Sequence, residues 1–342
     1  MVSPHIPSSD TSSAADPTGR RRLLLRRMAW ICAVLVLAIT SLSAYIRLSK
    51  AGLGCEPWPQ CYGQQLRAPQ LGEPQLGEPP LQADPGTANA RLAHRVIAST
   101  ALLLVLVMVM AALASKPVLW PQGRLALGLL ALALFLAVLG RWTAHARIPA
   151  VTLGNLLGGF AMFALSVRMA LAGGSAHPTS GGAPSRLARW AWWGAALLLA
   201  QVALGGMVSA GQAGLSCTGL TGCDLGAGTW DAFNPWLEPQ TSAALPTHPA
   251  GAWVHALHRA GGLVVVAFLL PLAALAWRSG LRVVALLVLA LLAVQIALGV
   301  ALVTLGLPLG VALAHNMAGA ALLAVLLCIP VLARETRLSP AL

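Results

Sequence analysis

The side chains in this chain that can do metal or redox chemistry are few and regularly placed. Cysteines stand a few residues apart at Cys55 and Cys61 in AGLGCEPWPQC, and again at Cys217 and Cys223 in AGLSCTGLTGC. Histidine precedes arginine twice, at His94–Arg95 and His258–Arg259, and stands in AHNMAG as His315. Imidazoles ligate metals and move protons, and thiols pair, ligate or exchange electrons. What these groups do depends on where the chain holds them.

Composition says that it holds them in a membrane. Of 342 residues, 57% are hydrophobic and 9% charged, with a mean hydropathy of +0.75. A soluble domain of this length needs far more polar surface. Eight apolar stretches, at about 28–48, 92–114, 122–143, 150–172, 189–210, 252–277, 282–304 and 310–333, are each long enough to cross roughly 30 Å of hydrocarbon. Lipid-exposed backbone must satisfy itself, so these are expected to be helices, giving an all-α membrane protein. The first stretch follows Arg20, Arg21, Arg22, Arg26 and Arg27. It exceeds a signal-peptide core and shows no small-residue cleavage site, so it is read as a spanning helix. Residues 1–27 are expected to be a disordered cytoplasmic segment, rich in Ser, Pro and Thr at its start.

Lys116, Arg124, Arg186, Arg189, Arg278, Arg282, Arg334 and Arg337 fall on the side of the amino-terminal arginines if the chain crosses eight times. Basic flanks mark the cytoplasm, which places both termini there, the tail at 334–342 included. The net charge of +12 is then topological, and no nucleic-acid partner is called for. A bacterial inner membrane is the expected location.

Two segments, 49–90 and 211–251, face outward, and each carries one cysteine pair. An oxidising compartment permits disulfides, so Cys55–Cys61 and Cys217–Cys223 are expected to close small loops. Each closure stabilises by roughly 2–3 kcal/mol on the chain-entropy account. Cys32 and Cys328 lie inside spans and read as small core hydrophobes.

The cysteine phrases belong to a longer repeat. Cys55 to Cys217 is 162 residues, His94 to His258 is 164, and Asn155 to His315 is 160, with RLAHRVIAS matching HALHRAGGL and GNLLGGFAM matching AHNMAGAAL. Two pseudo-symmetric four-helix bundles are expected, at 28–172 and 189–333, joined by the linker 173–188 and related by an axis along the membrane normal. His94, Asn155, His258 and His315 then lie at similar depth, within about two turns of the outer surface.

Histidine inside a span needs a partner and marks function. His258 and His315 facing each other across a bundle are one way to hold a haem iron from both sides. Interhelical hydrogen bonds, other metal sites and proton relays use the same residues. Gly261, Gly262 and Gly319, about a turn beyond the histidines, leave room for a flat macrocycle or for close helix contact. Arg95 and Arg259 suit haem carboxylates or lipid headgroups. His255 shares a face with His258 and is a candidate supporting group or the ligand itself; the repeat, which aligns His258–Arg259 with His94–Arg95, favours His258 as ligand. His145 and His248 read as loop histidines.

Taken together, RLSKAGLGCEPWPQC at 47–61, the two His–Arg pairs, the second cysteine pair and AHNMAG resemble the haem A synthase family over 28–333. The resemblance implies a membrane oxidoreductase that converts haem O to haem A by oxidising a ring methyl to formyl, for cytochrome oxidase biogenesis. It implies a haem b between His258 and His315 in the second half. It implies haem O as substrate at His94 in the first, with Cys55 and Cys61 shaping or assisting the outer mouth. Partners so implied are haem O, a haem O synthase, oxidase assembly factors and the lipid bilayer, and a homo-oligomer fits the same picture. Two positions depart from the family pattern: Asn155 stands where histidine is usual, and Arg91 where glutamate is usual. Glu56 is the nearest replacement carboxylate. The alternative is therefore a catalytically silent haem-binding assembly protein. A transporter is disfavoured because no span contains an acidic residue.

Overall fold

The computed structural model describes residues 17–50, 85–142, 148–172, 186–217, 219–238 and 249–338. Eight long helices carry the fold: α1 (Pro17–Lys50), α2 (Pro85–Leu113), α3 (Trp120–Trp142), α4 (Pro149–Ala172), α5 (Arg186–Ala210), α6 (Ala252–Arg278), α7 (Arg282–Thr304) and α8 (Leu309–Leu338). All eight are long and apolar enough to cross a membrane. Large side chains such as Val34, Leu263 and Val283 lie on the outside. In lipid that exposure carries no hydrophobic penalty, and helix association rests on packing and interhelical hydrogen bonds.

The first helix corrects an expectation. It begins at Pro17, ten residues ahead of the expected end of the disordered segment. Proline suits a first helical turn, and the Arg/Leu run that follows favours helix. Arg21 is also anchored: Nε and Nη2 donate to the Ala111 carbonyl at 3.2 and 2.8 Å, and Nη1 donates to Pro117 O at 3.0 Å. A guanidinium on the last carbonyls of α2 both satisfies them and meets the negative end of the helix dipole.

Helices α1–α4 pack as a ring in which each touches its sequence neighbours and α4 closes on α1. Helices α5–α8 do the same, α8 closing on α5. Between the rings, α4 packs on α8 and α5, and α8 packs on α1. One apolar core gathers Cys32, Val105, Met108, Leu129 and Met169. A second gathers Leu198, Leu269, Leu272, Leu323 and Ile329, with Phe160 and Ala164 contributed by α4. Cys32 and Cys328 are buried free thiols, as expected of core residues.

Short turns enforce the antiparallel order of α6, α7 and α8. After α6, Leu281 N bonds Ala276 O at 3.0 Å around Gly280, whose φ is 84°. After α7, Leu307 N bonds Leu302 O at 2.8 Å around Gly306, at φ 68°. Both are Schellman closures, which demand a left-handed residue that glycine supplies without strain.

Candidate functional site

His258 stands six residues beyond the start of α6 and His315 six beyond the start of α8. At 1.5 Å per residue both lie about 9 Å below the same end of the bundle. Because α6 and α8 occupy opposite corners of their ring, the two imidazoles approach from opposite sides, and His315 is within electrostatic reach of His258. Both are half-buried.

Neighbouring helices shape the surroundings of each ring. Gln201 of α5 places its amide nitrogen 3.0 Å from His258 Nδ1, and the same nitrogen donates to the His258 carbonyl at 2.7 Å. The ring lies against Gly205, where a β-carbon would sit 2.8 Å from Cε1. The His315 ring lies near Gly299 of α7, with Cε1 3.7 Å from where a β-carbon would be, and its Nδ1 is buried with no hydrogen-bond partner among the described residues. Sequence reasoning passed over both Gln201 and its counterpart on α7, Gln295. The available signal was the phrase QVALG at 201–205 and its near copy QIALG at 295–299.

A structured loop closes the outer end. Cys217 and Cys223 form a disulfide, and their sulfurs lie 3.8 and 3.6 Å from the Ala252 carbonyl oxygen at the start of α6. Trp230 stacks on Trp253 at 5.6 Å, and Thr229 N donates to Ala250 O at 3.1 Å. Ala150 N, at the start of α4, donates to Pro235 O at 2.8 Å, so the loop reaches the first ring as well.

Arg259 is engaged with this loop. Its Nη1 donates to Gly219 O and Leu220 O at 2.9 and 3.1 Å, and Nη2 donates to Cys217 O at 3.2 Å. Three carbonyls of the cysteine loop thus meet the Arg259 guanidinium, while its Nε is buried with no partner among the described residues. His255 is buried and faces the Ala213 backbone at the start of the same loop.

In the first ring, His94 stands nine residues into α2 and Asn155 six into α4, on opposite corners, both half-buried. Arg95 is exposed. Cys55, Glu56 and Cys61, with the loop histidines His145 and His248, lie outside the described residues.

What the geometry can hold follows from the donor count. Among the described residues no three His, Cys, Asp or Glu side chains converge as a metal cluster. Two opposed imidazoles alone are too few for a tetrahedral metal site, but they suit an iron whose four equatorial nitrogens come from a macrocycle. The unpaired His315 Nδ1 and the glycine-lined rings fit that requirement.

Residues 26–327 match the COX15-CtaA family, described as cytochrome oxidase assembly protein. A haem A synthase of Shewanella oneidensis is 34% identical over 312 residues, covering 86% of this chain and 91% of that protein. The chain belongs to the haem A synthase family. The family region thus begins in α1 and runs into α8, taking in both His–Arg pairs, His315 and the loop that Arg259 contacts. It is an integral membrane protein by its eight spans.

Proposed function

We propose that the chain is a haem A synthase: an oxidoreductase that takes haem O as substrate and oxidises a ring methyl to formyl, supplying haem A to cytochrome oxidase. The observation that carries this reading is the placement of His258 and His315 at equal depth on opposite corners of one four-helix ring, in a chain of this family. These two residues would hold a haem b, which supplies one-electron redox chemistry beside the substrate.

The other residues then take definite tasks. The disulfide loop covers the outer end of α6 and keeps water from the His258 side of the bundle. Arg259 pins that loop by three charge-assisted hydrogen bonds. His94 binds the substrate iron in the first ring. Asn155 is a poor iron ligand, so the opposite face of the substrate stays accessible to an oxidant. The repeat of sequence and of ring packing supports an origin by duplication, with 28–172 as the substrate half, 189–333 as the cofactor half and 173–188 as their linker. A bacterial inner membrane with cytoplasmic termini fits the arginine distribution.

Purified protein supplied with haem O, electron donor and air should yield haem A on acid extraction and chromatography. Folded protein that binds haem at His258 and His315 yet returns only haem O would instead establish the silent assembly role.

A further inference from the structure

The second ring contains the same side-chain interlock twice. On the α5–α6 face, Gln201 reaches across Gly261, its amide oxygen being the nearest atom to a β-carbon built there, while His258 reaches back across Gly205. On the α7–α8 face, Gln295 reaches across Gly319, with Nε2 3.0 Å from such a β-carbon, while His315 reaches back towards Gly299. In each case glutamine precedes its glycine by four residues, so its main-chain carbonyl opens into the notch where the imidazole lies. Gln201 and Gln295 each stand nine residues before the end of their helix, which sets the two interlocks at one depth.

We propose that Gln201 and Gln295 are positioning residues that fix the rotation of the His258 and His315 rings and decide which ring nitrogen faces the metal. The proposal rests on the reading that these histidines share a haem. A neutral imidazole that ligates through one nitrogen keeps its proton on the other, and that N–H needs an acceptor. In hydrocarbon no water supplies one. Beside each ring stands a glutamine main-chain carbonyl, and beside His258 also the Gln201 amide; the Gln295 amide lies one step away, against Gly319. Both amide oxygens, Gln201 Oε1 and Gln295 Oε1, are buried without a partner among the described residues, as is His315 Nδ1. Acceptor capacity is therefore held in reserve next to both ligands.

The first ring lacks the device. Aligning AGLGC with AGLSC sets Ile39 against Gln201, and aligning LAVLG at 136–140 with QIALG sets Leu136 against Gln295. Leu136 there lies over Gly158 of α4, its Cδ2 2.7 Å from a β-carbon built at that glycine. Fixed imidazoles suit a resident cofactor; a ring that must capture and release a substrate does not need them.

The test uses the full-length protein in detergent, comparing Gln201→Leu, Gln201→Glu and Gln295→Leu with the unaltered chain. Three readouts are taken: haem content, midpoint potential, and the g values of the ferric low-spin signal, which depend on the angle between the two ring planes. The leucine variants should keep haem but move the g values and shift the potential, because the side-chain amide that holds the ring is lost while the main-chain carbonyl stays. Gln201→Glu should restore the ring orientation and lower the potential, since a carboxylate makes the imidazole more basic. Should Gln201→Leu fail to fold, Gln295→Leu and Gln201→Glu carry the same comparison. Haem-loaded variants with unchanged potential and g values would overturn the positioning role while leaving the haem reading intact. Loss of both follows only if the unaltered protein takes up no haem, or if His258→Ala leaves its spectrum unchanged.

Discussion

A single atom decides much at His258. The ring occupies space that exists because residue 205 has no side chain, and a methyl group there would meet Cε1 at 2.8 Å. Gly205→Ala should therefore displace the ring at a cost of about 1–3 kcal/mol, the usual scale of overpacking. Its signature is haem loss during purification, with the helical circular dichroism unchanged. His258→Ala should remove the haem absorption band outright, whereas His255→Ala should spare it, because His255 is engaged with the Ala213 backbone. The candidate ligands were legible in the sequence because histidine is so rare in spans and because the His–Arg phrase recurs. The glutamines were not, since an uncharged polar residue in a membrane helix has many uses, and only the contact across Gly261 gives Gln201 its meaning. Nor were the contacts of Arg259 legible: its three carbonyl partners belong to a loop whose path no pattern in the sequence foretells.

At the level of elements, the helices were the easy part. Hydrophobic length alone fixed all eight spans to within a few residues at most ends, the largest error being the start of α1, where polar and basic residues continue a helix beyond the apolar stretch. The loop from α5 to α6 is the element that most needs covalent help, as its turns are short and its packing rests on Trp230 against Trp253 and on the Arg259 contacts. Opening the Cys217–Cys223 bridge by Cys217→Ser with Cys223→Ser should cost about 2 kcal/mol, the loop-closure value for so short a ring. A lowered thermal midpoint in detergent, matched by protease sensitivity confined to 211–251, is the expected result. An unchanged midpoint would mean that the aromatic stacking and the Arg259 contacts hold the loop without the bridge.

For the whole molecule, α8 is the member on which both rings depend. In its most apolar window 67% of residues are buried, against 17–39% for the other seven spans, and it packs on α1, α4, α5 and α7. Arg168 of α4 reinforces this contact, donating Nη1 to Leu327 O at 2.8 Å and lying 5.3 Å from the Trp192 ring of α5. Arg168→Leu should destabilise the association of the rings by about 1.5–3 kcal/mol, the range for a hydrogen bond from a charged group. Lower thermal stability with an unaltered haem spectrum would confirm that its part is mechanical. The centrality of α8 also bears on manufacture. Synthesis delivers the chain from its amino terminus, so α8, which carries His315, emerges after the other seven helices. On the proposed reading of His258 and His315 as a ligand pair, His258 has no opposing ligand until then, and cofactor loading must wait for α8.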